Sequence, residues 1–113
     1  LRHKGITSSL RKLGIKKIAI FGTMVTSRYV FEDALKEGLN VMAFIDNSPH
    51  MCGKQFQGKP VFPSSWLQDS DVECVIFSIE NARDAVIMEE LKRSLEREIL
   101  ICSWKQLVKE NLL

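Results

Sequence analysis

The stretch that decides the fold is Ile18 to Leu35, IAIFGTMVTSRYVFEDAL. Ile18, Ala19, Ile20 and Phe21 are apolar without alternation, which suits a strand covered on both faces. Gly22 follows, and then Ser27, Val30, Phe31 and Ala34 recur at helical spacing until Gly38. A strand, a glycine turn and a helix in this order set the helix N-terminus, with its orphan N–H groups and positive dipole end, where a phosphate can sit. The full pattern for that job is Gly-x-Gly-x-x-Gly: its second glycine lets backbone approach a pyrophosphate, and its third lets helix pack on strand. Here those positions hold Met24 and Ser27. A methionine side chain intrudes on the approach, whereas serine is small enough to keep the packing. Either a nucleotide site survives, or only the fold that would carry one.

Outward from this stretch the pattern repeats. Residues 4–13 read as a short helix with Ile6, Leu10 and Leu13 on one stripe, stopped by Gly14. Strands are expected at Lys16 to Phe21, Val41 to Ile45, Lys59 to Pro63, Val72 to Ile79 and Ile99 to Cys102. Between them run helices from about Val25 to Glu37 and Ala82 to Arg97, the latter presenting Ile87, Met88, Leu91 and Leu95. DNSPHMCGKQFQG, 46–58, is rich in turn formers and reads as a loop. Two prolines confine the strand in KPVFP to a sheet edge. Ser64 or Ser65 is placed to cap one helical turn that buries Trp66 and Leu67. Ser103 and Gln106 have capping-box spacing before a last helix burying Trp104, Leu107 and Val108. Buried strands joined by helices run parallel with right-handed crossovers. The expectation is one α/β domain over residues 1–113, a three-layer, five-stranded parallel sheet in the order 3-2-1-4-5 with helices on both faces.

Composition narrows the function. At 113 residues, 45% hydrophobic and with net charge +2, the chain can build a core but is small for a two-substrate enzyme. It begins at Leu1, so a piece of a longer protein is expected. No apolar run nears the ~18 residues that would span a bilayer, and no signal peptide is recognisable, so no membrane partner is expected. Cys52, Cys74 and Cys102 are odd in number and widely spaced, which fits a reduced, cytoplasmic protein. Residues 1–31 carry seven basic residues and no acid, but no aromatics are interleaved among the bases; nucleic acid is therefore not expected as a partner.

Ligands of such sheets bind beyond the carboxyl ends of the strands, where the order reverses. That places Gly22, Thr23 and Met24 at the phosphate turn, Asp46 and Asn47 at the nucleoside, and Ser78 beside them. Asp46 lies 24 residues after Gly22, close to the ~20 expected of a carboxylate that accepts from a ribose diol. His50 and Cys52 are too few for a metal site, and His3 is far away in sequence. Glu80 could serve as a base at the mouth, but no nucleophile–base pair can be assembled, so no catalytic or metal residue is assigned.

GIKKIAIFGT, ALKEGLNVMAFIDNSPHMCGKQFQGKPVFPSSWL and DVECVIFSI together resemble the small Rossmann-like domains of bacterial glycan-biosynthesis proteins. These stand at the front of sugar acyltransferases and beside sugar dehydratases, glycosyltransferases and methyltransferases. The shared marks are Phe44 to Asn47, Pro49, Gly53-Lys54 and Gly58 to Val61, within a resemblance over about residues 14–104. It implies a nucleotide-binding module, taking UDP-sugar in the acyltransferases or NAD in the dehydratase relatives, that adjoins a separate enzyme domain. The phosphate turn is where the chain departs from the family. The competing readings are a non-binding module that orients a neighbouring enzyme domain, and a fragment of an NAD-dependent oxidoreductase.

Overall fold

The computed structural model describes residues 5–79 and 83–111. The elements are α1 (Ser8–Lys12), β1 (Lys17–Phe21), α2 (Val25–Lys36), β2 (Asn40–Ile45), β3 (Gln55–Phe56), β4 (Lys59–Phe62), a 3-10 turn (Ser64–Asp69), β5 (Cys74–Phe77), α3 (Asp84–Ser94), β6 (Leu100–Ser103) and α4 (Trp104–Asn111). They form one six-stranded sheet in the order β3-β4-β2-β1-β5-β6. All neighbours are parallel except β3 and β4, which are antiparallel.

The expected count of five strands in an all-parallel sheet is therefore corrected. The additional strand lies inside the stretch read as a loop, and it takes the outer edge assigned to the Val61 strand. Gln57 and Gly58 both adopt positive φ, 52° and 78°, as a two-residue turn between antiparallel strands requires. That turn folds Phe56 back onto the core, where its ring meets Phe44 edge-on at 4.8 Å. With β3 set aside, the other five strands keep the neighbours expected of them, β1 at the centre and β6 at the far edge.

Alternation along the strands sorts the core into two layers. Ile18 and Ile20 of β1 point with Val41, Phe44, Cys74 and Ile76 toward α1, α2 and α4, meeting Leu10, Val30, Phe31, Ala34 and Leu107. Ala19 and Phe21 point the other way with Ile45, Val75 and Phe77, toward the 3-10 turn and Leu91 of α3. Phe21 and Phe77 stack there with centroids 4.3 Å apart. Truncating one such core isoleucine to alanine costs about 2–5 kcal/mol.

Several element ends differ from the sequence expectation, among them the strand expected over Val72 to Ile79, which spans only Cys74–Phe77. The helix expected to reach Arg97 stops at Ser94, because the Arg97 guanidinium turns back to donate to the carbonyls of Leu67, Ser70 and Val72 at 3.1, 2.7 and 2.8 Å. The 3-10 turn is not capped by its own serines: Pro63 stands at its cap, and Asn47 Oδ1 accepts from the Ser64 amide at 2.8 Å. The first helix is only five residues long, with the Asp33 carboxylate of α2 accepting from the amides of Ile6 and Thr7 ahead of it. The capping box at the last helix is present, Ser103 N–H to Gln106 Oε1 at 3.0 Å and Gln106 N–H to Ser103 Oγ at 3.2 Å.

Candidate functional site

Register brings the candidate residues together. Phe21 of β1 pairs with Ile45 of β2 and with Phe77 of β5, so Gly22, Asp46 and Ser78 leave the sheet at one level. The order reverses between β1 and β5, whose following helices lie on opposite faces, and a crevice opens at such a point. Gly22 has φ +122°, a conformation that side chains rarely adopt. A Cβ there would also lie 3.0 Å from both Ser27 Oγ and Ser78 Oγ. Glycine is required twice over, by backbone and by space.

Beneath this turn runs a chain of hydrogen bonds whose direction follows from donor counting. Ser78 Oγ donates its one proton to the Phe21 carbonyl at 2.9 Å. The 2.7 Å bond between Ser27 Oγ and Ser78 Oγ must then carry the Ser27 proton, leaving Ser27 Oγ to accept from the Met24 amide at 3.1 Å. Ser78 is 1% exposed and belongs to the floor of the crevice, with its hydroxyl already committed. Met24 is the N-cap of α2 and is 68% exposed, with its side chain over the Ser27 amide at the helix N-terminus.

Across the crevice mouth, Thr23 Oγ1 donates to Asp46 Oδ2 at 2.7 Å, and the Ser48 amide donates to Asp46 Oδ1 at 2.8 Å. Cys52 Sγ donates to the Asp46 carbonyl at 2.9 Å. An ionised carboxylate has about four acceptor sites, so one remains on each oxygen. Asn47 Oδ1 accepts from the Ser64 amide, which orients the side-chain amide and leaves its NH₂ as a donor. On the α3 side a cavity of about 220 Å³ opens between Phe21, Asn47, Ser64, Ile87, Glu90, Leu91 and Ser94. That is below the ~300 Å³ at which small-molecule pockets usually begin, so it has room for part of a nucleotide. A larger hollow, about 440 Å³, flanks the β6 edge, away from Gly22, with Arg97 already bound to carbonyls.

Glu80 lies outside the described residues. Among the described residues no group of three or more His, Cys, Asp or Glu side chains could hold a metal, and no helix is long and apolar enough to cross a membrane. Thr23, Asp46 and Asn47 were legible as strand-end residues. The partnership of Thr23 with Asp46, and the part of Ser27, were not: the only signal was that all stand within two residues of a strand end or at the third-glycine position.

No family model matches the sequence, and no curated protein matches it. Solved structures do. The crystal structure of RSP, a Rex-family repressor, superposes with TM-score 0.61 at 14% identity, over 86% of this chain and 56% of that one. RSP in complex with β-NADH gives 0.59 at 15% identity, over 82% and 56%. RSP in complex with β-NAD+ and operator DNA gives 0.56 at 14%, over 85% and 53%. What is shared is the Rossmann-like fold. The present chain spans just over half the length of these repressors. Sugar acyltransferases specifically find no support in these neighbours. One expectation is overturned: nucleic acid cannot be struck from the partners of this chain, because a protein of the same fold is seen on operator DNA.

Proposed function

We propose that this chain is a nucleotide-binding module of a larger protein, with NAD(H) the first ligand to test. One observation carries the reading: a crowded, positive-φ Gly22 delivers the α2 N-terminus level with Asp46, whose carboxylate keeps an acceptor site on each oxygen. In this reading the phosphate lies on the α2 N-terminus, and Gly22 and Thr23 shape the turn beneath it. Asp46 accepts from the ribose hydroxyls, and Asn47 faces the base at the 220 Å³ cavity. The exposed Met24 side chain lies over the Ser27 amide, and its thioether, a weak acceptor, would give way to a phosphate there. That the Rex-family neighbour binds β-NADH in the same fold supports the choice of dinucleotide. UDP-sugar and a glycan-modifying parent rest on the sequence resemblance alone.

The test is calorimetric titration with NADH, NAD+ and UDP, with amide NMR shifts to locate the ligand. NADH binding with shifts on Gly22, Thr23, Asp46 and Asn47 is expected. UDP binding without NADH binding would return the reading to the sugar nucleotides. Binding of neither leaves the competing reading, a module that orients a neighbouring domain. That alternative is favoured by one feature of the site, the internally satisfied Ser27–Ser78 floor.

A further inference from the structure

The cavity on the α3 side offers a set of donors and acceptors that not every base can match. Its apolar wall includes Phe21, stacked on Phe77, and Leu91, both buried, so the flat faces of a heterocycle meet carbon there. The polar groups around it come from separate elements. Asn47, held by the Ser64 amide on its Oδ1, offers its NH₂ as donor. Ser94 Oγ gives its proton to the Leu91 carbonyl at 2.8 Å and is left to accept. The Glu90 carboxylate also accepts only, and the ion pair on its helix, Lys92 with Glu89 at 4.0 Å, leaves it uncommitted among the described residues. Two acceptors, one of them charged, thus stand against one donor group. A phosphate placed here would face a carboxylate, so the cavity suits the base end of a ligand. We propose that it takes an aminopurine, adenine or guanine, and that Glu90 selects it by accepting from the exocyclic amino group. The inference rests on the nucleotide reading above. Uracil has no amino group, and its one ring N–H lies between two carbonyl oxygens. Turning that N–H to Glu90 sets carbonyl oxygen against the carboxylate. An aminopurine presents N–H to Glu90 and a ring nitrogen or carbonyl to Asn47.

The experiment titrates the full chain with ADP, GDP, IDP and UDP, which share the diphosphate and differ in the base, and repeats the series with Glu90→Gln. IDP has a carbonyl where ADP has its amino group, and no amino group where GDP has one. The better of ADP and GDP should bind the wild type roughly tenfold more tightly than IDP and UDP, the worth of one charge-assisted hydrogen bond at a wet rim. Which of the two leads names the base. Glu90→Gln, whose amide both donates and accepts, should bring IDP and UDP to within about threefold of the aminopurine. Amide shifts on Glu90, Leu91 and Ser94 should accompany ADP or GDP and be absent with pyrophosphate, which carries no base. Should the diphosphates bind too weakly to rank, the nicotinamide dinucleotides of adenine, guanine and hypoxanthine take their place with the same expectation. IDP or UDP binding as tightly as ADP or GDP overturns the proposal and leaves the nucleotide reading standing. So does a folded Glu90→Gln that changes all the affinities equally, because that is the loss of a charge and not of a base contact. If no nucleotide binds the wild type, NADH included, the nucleotide reading fails and takes base selection with it.

Discussion

Replacing Gly22 with alanine tests the centre of the structure. Two costs follow from its geometry. At φ +122° the backbone is in a region that residues with a Cβ rarely occupy, worth of order 1–3 kcal/mol. The new Cβ would also lie 3.0 Å from Ser27 Oγ, 3.0 Å from Ser78 Oγ and 3.1 Å from Ile79 Cγ2. The two hydroxyls are bound to each other and to Phe21, so they cannot yield without losing bonds, and overpacking of this kind costs about 1–3 kcal/mol. Together the loss should be roughly 2–6 kcal/mol, a large share of the 5–15 kcal/mol typical of a domain. Gly38 supplies the control: its φ is +79°, but nothing lies within 4 Å of its Cβ position. Gly38→Ala should therefore show only the backbone cost, about 1–2 kcal/mol. Urea unfolding followed by the fluorescence of Trp66 and Trp104 measures both, with m unchanged if the unfolded states match. Equal losses at the two glycines would refute the crowding, and a loss below about 0.5 kcal/mol at Gly22 would refute the turn itself.

Four further outcomes are expected. Gln57→Asn should stabilise the β3–β4 hairpin by roughly 0.5–1 kcal/mol in thermal melts, since Gln57 holds φ 52° in a turn that prefers asparagine. Arg97→Ala should cost about 1.5–3 kcal/mol by urea titration, and Arg97→Lys should recover little of it, because an ammonium cannot reach three carbonyls in the plane of a fork. With a thiol reagent, Cys52 should react in the folded protein, whereas Cys74 and Cys102 should wait for unfolding. Their sulfurs are buried 3.8 Å apart, and the contact with Cys102, together with burial, pushes the Cys74 thiol up. The amides of Lys17 and Lys16 hold the Glu73 carboxyl below its usual range. Its folded value is lowered, so the stability it contributes is present above the ordinary carboxylate range and lost as pH falls through the lowered value. Glu73→Gln should flatten that acid limb in a series of urea midpoints against pH.

Local pattern was enough for much of the fold. Ile18 to Phe21 and Cys74 to Phe77 are apolar without alternation, and only a strand buried on both faces wants that; parallel pairing through helices then follows from connection geometry. Gly22 and Asp46 were also legible, because a turn glycine and a strand-end carboxylate show themselves by position alone. Gln55 and Phe56 did not show themselves as a strand. Their pairing is with Lys59 and Pro60, and what decides it is the positive φ of Gln57, which a glutamine does not announce, and a place for Phe56 against Phe44 across the core. The same holds at the site. Ser27 in the sequence is a small residue in place of a glycine; its hydroxyl acquires a role only when β5, 51 residues further on, brings Ser78 within 2.7 Å. Periodicity and turn chemistry are properties of neighbours in the chain, and they can be read there. A hydrogen bond between residues on different elements is a property of the sheet register, which no residue carries by itself.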